Sequence, residues 1–207
     1  MKNNLFIAFE GIDGSGKSTQ VKLLSESLIR TGHRVYCTEE PTDSRIGSII
    51  REVFRHKMEA DHRTIAGLFV ADRLDHLLNR THGILKKLEE GYTVITDRYY
   101  LSSYAYQGAH MPIDWVIEAN SMSADLLRPD LNIFIDISPA ISMERLTRGR
   151  TSLELFETLE NLVKVREKYF EAMGKVKSAE CIFVTDGNRS PELIAADIWK
   201  EVSEKHI

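Results

Sequence analysis

Short apolar runs recur along the chain, and longer stretches of helical periodicity separate them. The runs NLFIAFE (4–10), RVYCTE (34–39), YTVITD (92–97), LNIFIDI (131–137) and CIFVTD (181–186) place apolar residues on both alternating faces. That pattern predicts strands buried on two sides, as in a parallel sheet covered by helices. Between 17 and 30, Val21, Leu24 and Leu28 repeat at helical spacing. Further helical patterns cover 44–56, 62–90 with a break near Gly83, 112–127, 138–148, 153–173 and 190–204. Gly32, Gly91 and Gly187 fall where helix ends or turns are wanted. The alternation predicts a three-layer α/β fold: a doubly wound sheet of five parallel strands flanked by helices. Ligands are expected at the C-terminal ends of its strands.

A length of 207 residues suits one domain, 1–207, with a sizeable core. Hydrophobic residues make up 43% and charged residues 28%, which fits a globular rather than a disordered chain. The formal net charge of −4 argues against general nucleic-acid binding, because such domains carry a basic excess. It leaves room for a local basic pocket that holds a small phosphorylated substrate. Cys37 and Cys181 each sit in an apolar run and have no metal-ligand spacing, so two buried thiols in a reducing compartment are expected. A glycine-rich loop interrupts the first apolar run too early for a secretory leader. No stretch approaches the ~20 apolar residues that span a bilayer. These readings point to a cytosolic protein with no membrane partner.

The stretch Gly11-Ile12-Asp13-Gly14-Ser15-Gly16-Lys17-Ser18 fits G-x-x-x-x-G-K-[ST] at every fixed position, and Thr19 follows it. A strand pattern precedes it and a helix pattern follows, which is the setting a phosphate-binding loop requires. Glycines there let backbone N–H groups converge on phosphate oxygens at a helix N-terminus. Lys17 is expected to reach the β- and γ-phosphates of ATP, and Ser18 to ligate Mg²⁺. Asp97 ends the third strand pattern, where a carboxylate can share that metal. Arg98 follows it and suits bidentate contact with a second phosphate. Away from such a loop, an Asp-Arg pair at a strand end would be read as a surface ion pair.

These residues, with EEPT (39–42), LFVADR (68–73), DRY (97–99) and AYQG (105–108) in the same order, resemble the thymidylate kinases over nearly the whole chain. The resemblance implies a P-loop kinase fold with a short lid near 144–156, and transfer of the γ-phosphoryl of Mg-ATP to dTMP. It also implies a homodimer through the helices of 62–90. Asp13 matches the loop acid beside the sugar 3′-hydroxyl and acceptor phosphate, and Glu40 matches the retained acid near Mg²⁺. Phe69 matches the ring that stacks on thymine, and Arg73, at i+4 on the same helix face, the arginine on its carbonyl edge. Arg98 matches the arginine on the acceptor phosphate. Ser103, Tyr106 and Gln107 match loop positions that frame the base and C2′, where a tyrosine ring would exclude a ribose hydroxyl. Taken singly, Phe69 or Tyr106 reads equally as core, and Arg73 as a surface partner of Asp72 or Asp75.

The acceptor is a phosphate monoester and needs no general base. Catalysis then rests on alignment and charge neutralisation by Lys17, Mg²⁺ and arginines. Residue 14 is glycine, so the loop brings no arginine of its own and the lid must supply one. Arg145, Arg148 and Arg150 are the candidates, with Arg148 and Arg150 preferred, although ERLTRGR also reads as a solvated basic turn. Glu39 stands where members of the resembled family often carry an arginine before the second acid; if that arginine serves the acceptor phosphate there, Arg45 is the candidate to replace it here. By the same resemblance, VTDGNRSPELI (184–194) is the usual place for a loop that packs against adenine. The rival enzyme reading is another pyrimidine nucleotide or deoxynucleoside kinase, in which Glu40 would serve as base. The rival from another class is a nucleotide-controlled switch, but no asparagine here is followed by lysine, so the N-K-x-D base-reading motif is missing.

Overall fold

A computed structural model describes residues 4–149 and 155–205. At the centre of its sheet lies β1 (Phe6–Glu10), between β3 (Thr93–Asp97) and β4 (Leu131–Asp136). The edges are β2 (Val35–Glu39) and β5 (Ile182–Asp186), giving the order β2-β3-β1-β4-β5. Every pairing is parallel. All strand C-termini therefore share one end of the sheet. The registers Phe9↔Asp97 and Glu39↔Asp97 set the ends of β1, β3 and β2 side by side.

Alternation along β1 feeds two cores. Leu5, Ile7 and Phe9 pack with Val21, Leu24 and Leu28 of α1 (Lys17–Arg30) and Ile194, Ile198 and Val202 of α10 (Pro191–Lys205). Phe6 and Ala8 face the other way. They join Ile50 and Val53 of α2 (Arg45–Phe54), Phe69 of α3 (His62–Leu78), Tyr104 of α5 (Tyr100–Tyr106) and Val165 of α9 (Leu159–Val176). The three layers follow from this division, since both faces of the central strands are apolar.

The edge strands depart from the expected pattern. β2 and β5 are covered less completely than the three inner strands, and Cys37 and Cys181 are exposed rather than buried. The 62–90 pattern divides into α3 and α4 (Ile84–Glu89), and the 112–127 pattern into α6 (Ile113–Ala119) and α7 (Ser121–Leu126). The segment after β3, expected as loop, is helix α5, and all its residues are buried. A helix apolar all round carries no amphipathic signal, so its period is hidden in the sequence. α8 (Pro139–Gly149) leads into the expected lid, whose residues 150–154, including Arg150, lie outside the described residues. Among the described residues no helix is long and apolar enough to cross a membrane.

Candidate active site

The phosphate loop turns from β1 into α1. Gly11, at φ +143, could not carry a side chain, because a Cβ would lie 2.7 Å from the Ile135 carbonyl oxygen. Gly16 sits at the N-cap of α1 in the left-handed region, with no side-chain cap on the helix and no acid in its first turn. The leading N–H groups of α1 are thus left for an external anion. Ser15 Oγ is buried without a hydrogen-bond partner among the described residues. Lys17 folds back over the loop, donating to the carbonyls of Gly11 at 3.0 Å and Ile12 at 3.1 Å. Burial, and then the charge of Arg98, push its ammonium down to about 8. Thr19 is exposed on the first turn.

Ser18 donates its hydroxyl to Asp97 Oδ2 at 2.6 Å, while Asp97 Oδ1 is buried without a hydrogen-bond partner among the described residues. Both residues line an open cavity of about 560 Å³. A hydroxyl and an incompletely satisfied carboxylate at this point fit a hard divalent cation such as Mg²⁺, which takes oxygen ligands and completes its shell with phosphates and water. Glu39 lines the same cavity beside Asp97, and burial followed by the charges of Asp97 and Asp43 raises its carboxyl.

Across the loop, Arg98 occupies the left-handed region at φ 74, a backbone strain of the kind that collects at functional sites. Its NH2 group donates to Asp13 Oδ1 at 2.5 Å and Tyr106 Oη at 3.2 Å, and NH1 donates to Ser102 Oγ at 3.2 Å. Tyr106 closes the triangle by donating to Asp13 Oδ2 at 2.7 Å. The carboxylate within an anion-binding loop is therefore matched by a guanidinium, which keeps the cleft from being net negative there. Burial works against the Arg98 charge, yet Tyr106 and Asp13 outweigh it and hold the guanidinium well above its ordinary value.

These groups open onto a second cavity of about 310 Å³. Asp13, Glu40, Phe69, Arg98, Ser103, Tyr106 and Gln107 all line it, together with Phe54, Phe156 and Glu157. Phe69 is 8% exposed and lies 5.9 Å from the Phe54 ring, so it belongs to the core and to the cavity wall at once. Ser103 Oγ and Gln107 Oε1 are buried polar atoms without hydrogen-bond partners among the described residues. Such atoms carry a desolvation cost that a polar ligand would relieve.

Arg73 stands behind this wall. It is 1% exposed and does not pair with Asp72 or Asp75 on the surface; it grips Glu40 Oε2 through Nε at 2.9 Å and NH2 at 2.6 Å, and reaches Asn120. His76 Nδ1 holds Glu40 Oε1 at 3.1 Å. Burial alone would raise the Glu40 carboxyl, but Arg73 and His76 overcome it and keep it below its ordinary value. Asp72 instead pins the turn into α2, accepting from Thr42 N at 2.8 Å and Thr42 Oγ1 at 2.6 Å.

Sequence reasoning missed Arg51. Arg45, its proposed substitute, is exposed at the start of α2, whereas Arg51 lines the cavity and donates to the Pro41 carbonyl at 2.8 Å. The signal was present: Gly47 and Ile50 mark the inward face of α2, and an arginine at i+4 from Gly47 shares it. Among the lid candidates, Arg148 pairs with Glu144 on the surface. Arg145 instead reaches the phosphate loop, donating to the Gly14 carbonyl at 3.2 Å and to Gly187 at 2.9 Å.

The thymidylate kinase family model matches residues 9–198, which span the phosphate loop, both cavities and α10 up to Ile198. The chain belongs to the thymidylate kinase family. It is 40% identical over 195 residues to a probable thymidylate kinase of Pyrobaculum calidifontis, covering 94% of this chain and 93% of that one. It is 36% identical over 194 residues to a thymidylate kinase of Leptospira borgpetersenii, covering 93% and 90%.

Proposed function

We propose that this chain transfers the γ-phosphoryl group of ATP to dTMP, giving dTDP and ADP. The single observation that carries the reading is a phosphate loop beside a partly aromatic cavity lined by Arg51, Arg98 and buried polar atoms without hydrogen-bond partners among the described residues. One domain holds both substrates. Gly11 to Thr19 bind the ATP phosphates, and Ser18 and Asp97 hold Mg²⁺, which when bound neutralises charge on the donor phosphates. Lys17 exchanges its two carbonyl partners for phosphate oxygens.

On the acceptor side, Arg98 and Arg51 take the dTMP phosphate, and Asp13 keeps Arg98 aligned while facing the sugar. Phe69 supports the thymine ring. Gln107 Oε1 accepts from its N3–H, and the Ser103 hydroxyl donates to a ring carbonyl. Arg73 acts from behind by fixing Glu40 and the wall of the cavity. Tyr106, held by Asp13 and Arg98, presents its ring edge where a 2′-hydroxyl would stand. Aligning two phosphates and excluding water then supplies the rate, without a general base. Arg145 and the lid arginines Arg148 and Arg150 complete the charge balance from the donor side.

The nucleoside-kinase reading needs a free base, and Glu40 is poorly suited, since Arg73 and His76 occupy both its oxygens. The setting we propose is the cytosol, with a homodimer formed through α3 and its neighbours. Leu78 of α3 and Trp115, Met122 and Leu126 of α6 and α7 are exposed large apolar side chains on helices in mutual contact. Sedimentation should show a dimer at micromolar concentration, and a monomer alone would contradict it. For the activity, incubation with ATP, Mg²⁺ and dTMP should yield dTDP and ADP in equal amounts. Phosphate release without dTDP, or phosphorylation of thymidine in place of dTMP, would overturn the proposal.

A further inference from the structure

Glu10, the last residue of β1, is fully buried beneath the phosphate loop, and none of the roles above uses it. Its Oε1 accepts the Tyr99 N–H at 3.0 Å. Its Oε2 accepts the Ser102 hydroxyl at 2.5 Å and the Tyr169 hydroxyl at 3.1 Å. All three donors are neutral, so the carboxylate is kept in the core for something other than a direct ion pair. A buried acid costs folding free energy, and its retention asks for a reason.

The reason lies in the hydrogen count. A serine hydroxyl has one hydrogen and two lone pairs. Once Ser102 gives that hydrogen to Glu10, its oxygen offers only lone pairs, to the Tyr169 hydroxyl at 2.8 Å, whose hydrogen Ser102 and Glu10 share, and to the cavity. Arg98 NH1 donates into it at 3.2 Å. The other arm of the same guanidinium is held by Asp13 at 2.5 Å. Glu10 thereby dictates which way Ser102 faces, and Ser102 fixes the arm of Arg98 that Asp13 does not.

We propose that Glu10 is a positioning residue for Arg98, acting through the Ser102 hydroxyl to aim the guanidinium at the acceptor phosphate. The inference rests on the reading of Arg98 as holder of the dTMP phosphate. A glutamine at position 10 keeps the shape but reverses the relay. With its oxygen on Tyr99 N–H, its amide N–H groups face Ser102, so Ser102 must accept from residue 10 and its lone pairs are no longer reserved for Arg98.

The test is calorimetric binding of dTMP and of thymidine to the whole chain, wild type and Glu10→Gln, at pH 8.5, where the Glu10 carboxyl, pushed up to about 7 by burial, is ionised. Thymidine shares the base and sugar and lacks the phosphate. Glu10→Gln is expected to weaken dTMP about tenfold, the scale of one charge-assisted hydrogen bond, and to leave thymidine unchanged. Equal weakening of both ligands would mark a merely structural residue and overturn the proposal, as would an unchanged affinity for dTMP. If Glu10→Gln does not fold, Ser102→Ala decides. It should show the same phosphate-selective loss with Ser102→Thr restoring it, and wild-type dTMP affinity in Ser102→Ala would overturn the relay. If the wild type neither binds nor phosphorylates dTMP, the failure lies in the functional reading, and the role of Glu10 falls with it.

Discussion

Ser18, on the first turn of α1, gives its hydroxyl hydrogen to Asp97 at the end of β3 over 2.6 Å, although 79 positions separate them. The bond joins the donor loop to the neighbouring strand and leaves the second carboxylate oxygen buried without a partner among the described residues. Asp97→Asn would keep the shape and remove the charge that Mg²⁺ requires. It should lower kcat by about 100-fold, the cost of losing one preorganised electrostatic contact, and raise the Mg²⁺ concentration needed for half-maximal rate. Titrating Mg²⁺ at saturating ATP checks both, and an unchanged Mg²⁺ requirement would remove Asp97 from the metal site.

Lys17 leads to a second prediction. With its ammonium at about 8 before nucleotide binds, contact with phosphate should return it to the ordinary lysine range. Below pH 8 the free and bound states are both protonated and affinity is constant. Above it, binding must take up a proton, so ATP affinity falls as pH rises. Calorimetry at pH 8.5 in two buffers of different ionisation enthalpy should report proton uptake, and none at pH 6.5. Equal heats in both buffers at pH 8.5 would contradict the account.

The Arg73–Glu40 pair is almost fully removed from water, with side chains 1% exposed on each side. Removing one partner strands the other, at a cost of about 3–5 kcal/mol. Arg73→Met should therefore lower the melting temperature by roughly 10 °C, given about 2–4 °C per kcal/mol for a domain of this size. Glu40 is held below its ordinary value, so its contribution is present above the unfolded carboxyl range and is lost as pH falls through the folded value. Thermal melts of wild type and variant should converge in acid. A constant difference across pH would mean the pair is not the source.

Much of this arrangement was legible in the chain. The inner strands β1, β3 and β4 announce themselves because both of their faces are apolar, and the phosphate loop because its glycines fall between a strand and a helix. Asp97 and Arg98 could be placed because strand ends converge in a parallel sheet. The misses share a cause: they depend on which element lies beside which. Edge position exposes Cys37 and Cys181, and nothing local to them marks it. The all-buried helix α5 lacks a period. Arg73, expected at the base, meets Glu40 across 33 positions of chain, a pairing no local pattern contains. Arg51 was readable from the inward face of α2 and was overlooked beside the more obvious Arg45.

Glu10 leaves a mark on stability. Burial pushes its carboxyl up to about 7 from 4.5, against the opposing pull of Ser102 and Arg98. Its raised value favours the folded state fully below about 4.5, and that contribution disappears as pH rises through 7. The change amounts to about 3 kcal/mol. Denaturant unfolding of the wild type from pH 5 to 8 should show this decline superimposed on the other titrations, and Glu10→Gln should remove it. A variant with the same slope as the wild type would place the titrating group elsewhere.

The central claim is that the cavity walled by Phe69, Tyr106 and Arg98 selects a deoxythymidine monophosphate. It is tested most directly by kcat/KM for dTMP, dUMP, dCMP, UMP and thymidine, each offered with ATP and Mg²⁺ in an ADP-release assay. The account predicts dTMP first, dUMP behind it, and UMP and thymidine near background, because one lacks room for its 2′-hydroxyl and the other gives Arg98 nothing to hold. Thymidine or dCMP turning over ahead of dTMP would contradict it.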